Sequence, residues 1–378
     1  MNRQRGAKSS AARGARASAA SILRAIVGSP IDVLLIAAPI SWVLHLTGAD
    51  STWTFLTAAL SLIPLAGLIG LGTEQLACRA GPAWGGFLNA TFGNAAELII
   101  AIVALRERHV ELVKASITGS IIGNLLLVLG LSFFVGGIGR KTQHFHRTSA
   151  TNMAAMLFLG VVALVMPAVF DLVVYGSLAA RPPEIDRLSI WTSLILIAAY
   201  AGSLVYAFTA HRDLFRSDDA GHGGAVMPVN AAIGVLAAGT VLTTVQAEVL
   251  VGTLQPTLSR FGFTELFVGV IVIAVIGNAA EHYSAVTAAR RDEMTLAVEI
   301  AVGSSAQIAL FVAPAVVLYS WLIGTPMSLL FNPFEIVAIA LGVIATVIVV
   351  MDGESNWVEG LQLLSVYLIF ALAFFFVP

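Results

Sequence analysis

The sequence predicts an all-α polytopic membrane protein of about eleven transmembrane helices, ten of them forming two five-helix repeats of opposite orientation. Three observations predict it. Hydrophobic residues make up 58% of the 378 and charged residues only 11%, with a mean hydropathy of +0.91. Apolar stretches near or beyond the ~20 residues that cross a bilayer recur along the chain. One pentapeptide with an acidic residue occurs twice, each time inside such a stretch. A soluble domain carries roughly 25% charged residues, so this composition cannot cover a water-facing surface.

Hydropathy places the spans at 31–48, 53–77, 84–105, 115–138, 150–170, 188–210, 229–253, 263–289, 294–321, 332–351 and 357–377. Residues 1–28 hold Arg3, Arg5, Lys8, Arg13, Arg16 and Arg24 with no acid. They read as a basic cytoplasmic tail, because the apolar run after Pro30 is long enough to remain as a span rather than be cleaved as a leader. Residues 29–52 then form an extra amino-terminal helix, 53–210 the first repeat, 211–228 a polar cytoplasmic linker and 229–378 the second repeat. With the amino terminus inside, 14 Lys and Arg face the cytoplasm and six the other side, or eight against six without the tail, the bias of the positive-inside rule. The expected location is a bacterial inner membrane. Cys78 is the single cysteine, which excludes an intrachain disulfide and a cysteine-built metal site. The lipid bilayer is the expected partner and nucleic acid is not, since anionic lipid explains the tail as well. The oligomeric state is left open.

The repeat appears when the chain is laid on itself 184 residues along, the distance from Glu97 to Glu281. Gly93-Asn94-Ala95-Ala96-Glu97 then falls on Gly277-Asn278-Ala279-Ala280-Glu281. The same offset aligns Ala101 with Ala285, Ala104 with Ala288, Arg106 with Arg290, Leu112 with Leu296, and Gly119-Ser120 with Gly303-Ser304. An odd number of spans separates corresponding helices, so the second copy is inverted. Inverted repeats are a signature of secondary transporters, whose site lies near the midplane between the copies.

A carboxylate at mid-membrane costs ~2.5–3.5 kcal/mol on insertion scales and marks an ion or proton path. Glu97 and Glu281 are two such groups. Gly93 and Gly277 weaken the helix just before them and free backbone carbonyls as ligands. Asn94 and Asn278 are expected to add amide oxygens about one turn from each carboxylate. The next span of each copy offers Ser116, Thr118, Ser120 and Asn124, or Ser304, Ser305 and Gln307, among small residues that permit close helix approach. The candidate ion ligands are therefore Glu97, Glu281, Asn94, Asn278, Ser120, Ser304, Asn124, Gln307, Gly93 and Gly277. Such an all-oxygen set suits calcium, which takes six to eight oxygens in flexible geometry, better than magnesium, and nothing in it selects zinc or copper. Two carboxylates sharing a low-dielectric site cannot both stay charged without a counter-cation. The site would hold either a divalent cation or protons. No resident cofactor is called for.

These residues resemble the two repeat signatures of the calcium/cation antiporter superfamily. Gly-Asn-Ala-Ala-Glu, followed by Gly-Ser-Ser-Ala-Gln-Ile-Ala-Leu-Phe-Val at 303–312, is similar to the calcium/proton exchanger branch. The sodium/calcium branch tends to carry Thr-Ser and Pro around the glutamate. The resemblance covers about 53–377. It implies calcium as main substrate, protons as counter-ion, and alternating access by two helices sliding against a fixed core. Some relatives carry a strongly acidic stretch between the halves; Ser217-Asp218-Asp219 is all there is here, so a calcium-sensing linker is not implied.

Further acids leave two readings open. Glu74, Glu248 and Glu299 are either acids on an ion or proton path, or interfacial, solvated groups. His144, His146, His211 and His222 fall in expected cytoplasmic loops as solvated groups or pH sensors, and His282 follows Glu281 directly. Rival classes are a sodium/calcium or sodium/proton exchanger of the same superfamily, a cation channel, and a membrane enzyme. The His-Glu-x-x-His of an intramembrane metalloprotease is absent, Glu281-His282 being the only Glu-His pair.

Overall fold

The computed structural model describes residue 26 and residues 28–176, 182–210 and 227–377. The basic tail and nearly all of the linker, with His211, His222 and Ser217-Asp218-Asp219, lie outside the described residues. The helices are α1 Pro30–Leu46, α2 Ser51–Phe92, α3 Ala95–Arg106, α4 Val110–Gly137, α5 Arg147–Tyr175, α6 Pro183–Ala210, α7 Val229–Gly252, α8 Leu254–Phe261, α9 Glu265–Gly277, α10 Ala279–Arg290, α11 Met294–Leu322, α12 Pro333–Val350 and α13 Trp357–Phe376.

Among the described residues, eight helices are individually long and apolar enough to cross a bilayer, or nine if the bent pair α8–α9 counts as one. Three of the eleven expected spans take other forms. Helix α1 has only 17 residues, but its first seven, Pro30–Ile36, are 3₁₀. At ~2.0 Å per 3₁₀ residue and ~1.5 Å per α residue it still reaches about 29 Å, a bilayer's apolar thickness. A Ser29–Asp32 capping box with Pro30 at the first position starts it. The other two are the motif spans, each cut at its asparagine. Asn94 (φ −101°, ψ 27°) ends the run from α2 and opens α3; Asn278 (φ −93°, ψ 8°) separates α9 from α10. Helix α2 joins two predicted spans. A Cβ on Gly85 would lie 2.7 Å from the Ala77 carbonyl oxygen, whereas eight residues of straight helix separate their ends by ~12 Å. The helix therefore folds back between them, beside Pro82.

The 184-residue symmetry persists in the backbone. The non-glycine residues with positive φ are Arg108 (66°) and Asp292 (68°), one pseudo-symmetric pair just past α3 and α10. Helices α4 and α11 each contain a π-helical stretch, Gly123–Val128 and Ile308–Val312, at corresponding positions. These two are also the most buried spans, at 83% and 72%, so they form the centre. Helix α2 packs on α7, α3 on α7, α4 on α9, α10 on α11, α5 on α12 and α4 on α13. Helix α1 packs on α2 and α7; Ser41 donates to Gln246 at 2.9 Å inside that contact.

Polar contacts distant in sequence sort to two ends. At one end Asp50 pairs with Arg260, His109 with Glu265 (2.9 Å), and Ser189 Oγ accepts from Leu329 N–H (2.9 Å). At the other, Arg140 pairs with Asp292 (3.7 Å), His144 with Glu354 (3.6 Å), and Met227 N–H donates to Gln75 (3.1 Å). There β1 (Gln143–His144) also pairs antiparallel with β2 (Glu354–Ser355). Each contact joins residues that the span order assigns to one side. Lys114 departs from its expected place in a loop: it is 2% exposed, and its Nζ donates to the Leu330 carbonyl at 2.7 Å. A long aliphatic stem lets the ammonium reach a backbone oxygen from within the helix packing.

Candidate functional site

Both glutamates sit in the first turn of the helix that restarts after the break, Glu97 in α3 and Glu281 in α10. Asn94 and Asn278 are the non-helical cap residues themselves, and Asn278 turns to the same side as Glu281, since both meet Asn124 Nδ2. A restarted helix presents unpaired backbone N–H groups and the positive end of its dipole, so both carboxylates lie where the backbone favours negative charge.

The two breaks meet through helix contact at glycine. A Cβ on Gly119 of α4 would stand 2.1 Å from the Val270 carbonyl oxygen and 2.6 Å from Ala274 Cβ of α9. Only glycine admits that approach, and it carries Ser120 and Asn124 of the first copy up to the second copy's break. Asn278 Nδ2 donates to Ser120 Oγ (2.9 Å) and to the Ala274 carbonyl (2.8 Å). Asn124 Nδ2 lies 3.1 Å from Asn278 Oδ1, 3.3 Å from Glu281 Oε2 and 3.2 Å from Ser304 Oγ. Ser304 Oγ lies 2.8 Å from Glu281 Oε2 and 3.0 Å from Asn94 Oδ1. Asn94 Nδ2 donates to Gln307 Oε1 at 2.6 Å. Seven predicted residues thus join one network that crosses between copies through six contacts: Ser120, Asn278, Asn124, Glu281, Ser304, Asn94 and Gln307.

Glu97 stands differently. Its Oε2 is buried with no hydrogen-bond partner, and its carboxylate lies against the backbone of Gly277, about 3.8 Å from where a Cβ would be. It is close enough to Glu281 for their charges to interact. Gly93 likewise faces Gln307 across the copies, at 3.8 Å by the same measure. All ten candidate ligands are therefore in or against one cluster. Among the described residues no three His, Cys, Asp or Glu gather anywhere, so the cluster combines two carboxylates with amide and hydroxyl groups only.

Other predicted polar residues turn elsewhere. Ser116 bonds the Val113 carbonyl, Ser305 the carbonyls of Ala301 and Ile121, and Thr118 bonds Glu335 at 3.0 Å. Glu74, Glu248 and Glu299 are exposed, and none joins the network; Glu299 accepts from Ser149 at 2.8 Å. His144 and His146 are exposed, and His282 Nε2 is buried without a partner. Glu335 itself escaped the sequence reading. It is 1% exposed, accepts from Asn332 N–H and completes a capping box at the start of α12. The signal was there in Asn332-Pro333-x-Glu335.

The chain matches the sodium/calcium exchanger protein family over residues 50–209 and 231–376. It is 43% identical over 363 residues to the Ca(2+)/H(+) antiporter of Synechocystis sp., covering 92% of this chain and 97% of that one. It is 42% identical over 354 residues to the Ca(2+)/H(+) antiporter ChaA of Bacillus subtilis, covering 90% and 98%. Among solved structures, native YfkE superposes with a TM-score of 0.80 at 40% identity, covering 92% of this chain and 100% of that one.

Proposed function

The chain belongs to the family of sodium/calcium exchanger proteins, and within it we infer that it is a calcium/proton antiporter. It is an integral membrane protein. The relatives that are more than 40% identical carry that activity in their names. The single observation that carries the reading is the pair of glutamates from inverted copies, brought together at two helix breaks with one carboxylate oxygen, Glu97 Oε2, buried and unpartnered. Such an oxygen is costly unless something occupies it at some stage of the cycle.

The mechanism follows from charge. Two carboxylates match one divalent cation, and calcium accepts irregular oxygen shells. Glu97 and Glu281 hold the ion, with the Asn94 and Asn278 amides, Ser120 and Ser304, and backbone freed beside Gly93 and Gly277 available as further oxygens. When calcium leaves, protons take its place, because a doubly negative, largely water-free pair is unfavourable. Transport is obligatory exchange if the empty charged site crosses poorly. The residues on the linker side of the breaks, Gly93, Tyr283 and Ser284, are exposed, whereas Ile100, Ala101, Val268 and Ile273 beyond them are buried. That contrast supports access to the site from the linker side. The amino terminus and linker lie in the cytoplasm of a bacterial cell, the membrane is the inner one, and the site works without a resident cofactor or an enzymatic step. Glu74, Glu248 and Glu299 are candidates for the ion or proton route.

The test is calcium uptake by proteoliposomes under an imposed pH gradient, with and without sodium. Uptake driven by the pH gradient and indifferent to sodium is expected. Uptake that requires a sodium gradient would contradict proton exchange.

A further inference from the structure

The amides at the π-helical stretches of α4 and α11 differ from the other site residues in one respect: symmetry does not relate them. Asn124 corresponds to Ile308 and Gln307 to Gly123. The bulges begin at Gly123 and Ile308, and extra backbone of this kind rotates the side chains that follow or precede it. In one copy it turns Asn124 toward the centre, in the other Gln307. Each amide then reaches the broken helix of the opposite copy, Asn124 to Asn278 and Glu281, Gln307 to Asn94.

The orientation of Asn124 is fixed by a group that cannot reverse its role. The Ala274 carbonyl only accepts, so Asn278 must present Nδ2 to it. The opposite atom of that amide, Oδ1, then faces Asn124, which must meet it with N–H. The same Nδ2 lies 3.3 Å from Glu281 Oε2 and 3.2 Å from Ser304 Oγ. Asn124 thus turns its donor end to the carboxylate, and its Oδ1 is buried with no partner. A cation ligand would turn its oxygen inward.

We propose that Asn124 and Gln307 are positioning residues, cross-copy clamps that hold the Glu281 carboxylate and the Asn94 amide in place, and not cation ligands. The inference rests on the calcium/proton reading above and assigns two of its residues a different task. Asn124 acts as a donor, Gln307 as an acceptor for Asn94 Nδ2.

The two roles separate by isosteric replacement. Ionised Asp has no N–H to give, so Asn124→Asp keeps the shape and an oxygen but loses the clamp. If Asn124 were a ligand, the added charge would hold calcium as well or better. In proteoliposomes with a proton gradient, Asn124→Asp is expected to raise the KM for calcium roughly tenfold or more, the loss expected for a hydrogen bond to a charged group, with Vmax per folded protein little changed. A KM at or below the wild-type value would overturn the proposal, as would a fall in Vmax with KM unmoved. Gln307 decides the matter if Asn124→Asp does not fold. Gln307→Leu should raise KM roughly tenfold and also lower the melting temperature in calcium-free buffer, because the clamp onto Asn94 is lost whether or not an ion is present; a raised KM with an unchanged calcium-free melting temperature overturns the clamp. Wild-type protein without proton-driven uptake would overturn the functional reading together with this inference, whereas active wild type with unaltered variants overturns the clamp alone.

Discussion

Replacing Gly119 by alanine adds one methyl group at the tightest helix contact in the centre of the protein. That Cβ would lie 2.1 Å from the Val270 carbonyl oxygen and 2.6 Å from Ala274 Cβ. Both obstacles belong to or sit on backbone, so no side chain can swing away, and α4 and α9 must part by about 1.4 Å to restore an ordinary contact of ~3.5 Å with the Val270 oxygen. Overpacking of this kind costs ~1–3 kcal/mol, and a gap of that size forfeits about half or more of each dispersion well along the seam. The same displacement acts on the site. The Asn278–Ser120 and Asn124–Asn278 hydrogen bonds, 2.9 and 3.1 Å long, would stretch past the ~3.5 Å at which such bonds cease to count. Gly123 supplies the control: one turn further along α4, a Cβ there meets nothing within 4 Å. Alanine in place of helical glycine contributes up to ~1 kcal/mol at either position, so only the clash distinguishes them. Thermal unfolding of the two purified variants, with calcium uptake measured alongside, provides the assay. Gly119→Ala should melt well below wild type and lose uptake, while Gly123→Ala melts at or above wild type. Equal melting temperatures would refute the close-packing argument.

Three further outcomes follow from other parts of the molecule. Glu335 and Lys114 are buried together at the α4–α12 contact, so Glu335→Ala, which leaves Lys114 with less compensation and opens the α12 cap, should cost ~3–5 kcal/mol in chemical or thermal unfolding; a loss below about 1 kcal/mol would contradict that burial. Asp50 and Arg260 are both exposed, and Asp50→Asn should leave the thermal unfolding midpoint essentially unchanged. The Thr52 backbone N–H first, and then Arg260, hold the Asp50 carboxyl below its ordinary 3.8. Its small contribution is thus complete near neutral pH and lost as pH falls through that lowered value, and unfolding near pH 7 should show no dependence on it. Competition of protons and calcium for one pair of carboxylates, as proposed, predicts that the KM for calcium rises as pH falls on the side from which calcium enters; a KM independent of pH in uptake assays would argue for separate sites.

Much of this was legible in the sequence because membrane insertion writes it plainly. Apolar length and charge placement set the spans, and the duplicated Gly-Asn-Ala-Ala-Glu marks both breaks. The ten candidate ligands lie in or against the cluster because a buried amide or hydroxyl inside a membrane has few other places to be satisfied. The rest depended on contacts that sequence spacing does not encode. Asn94 and Asn278 sit at the breaks as the non-helical residues that open the next helix, a place that their spacing from the glutamates does not reveal. The π-helical stretches leave no residue signature, yet they decide that Asn124 and Gln307, unrelated by the repeat, face the centre. Lys114 read as a loop cation because its position at a span end said nothing of the Leu330 carbonyl 216 residues away. The inequality of the two carboxylates, Glu281 with donors and Glu97 Oε2 with none, is hidden in two identical pentapeptides.

In the proposed cycle Glu97 and Glu281 hold either calcium or protons, never both. The direct measurement is proton release when calcium is added to purified, weakly buffered protein in the absence of any gradient. Wild type should release protons saturably as calcium binds, and Glu97→Gln with Glu281→Gln should abolish release and calcium binding together. Calcium binding without proton release in wild type, or release undiminished in the double variant, would contradict it.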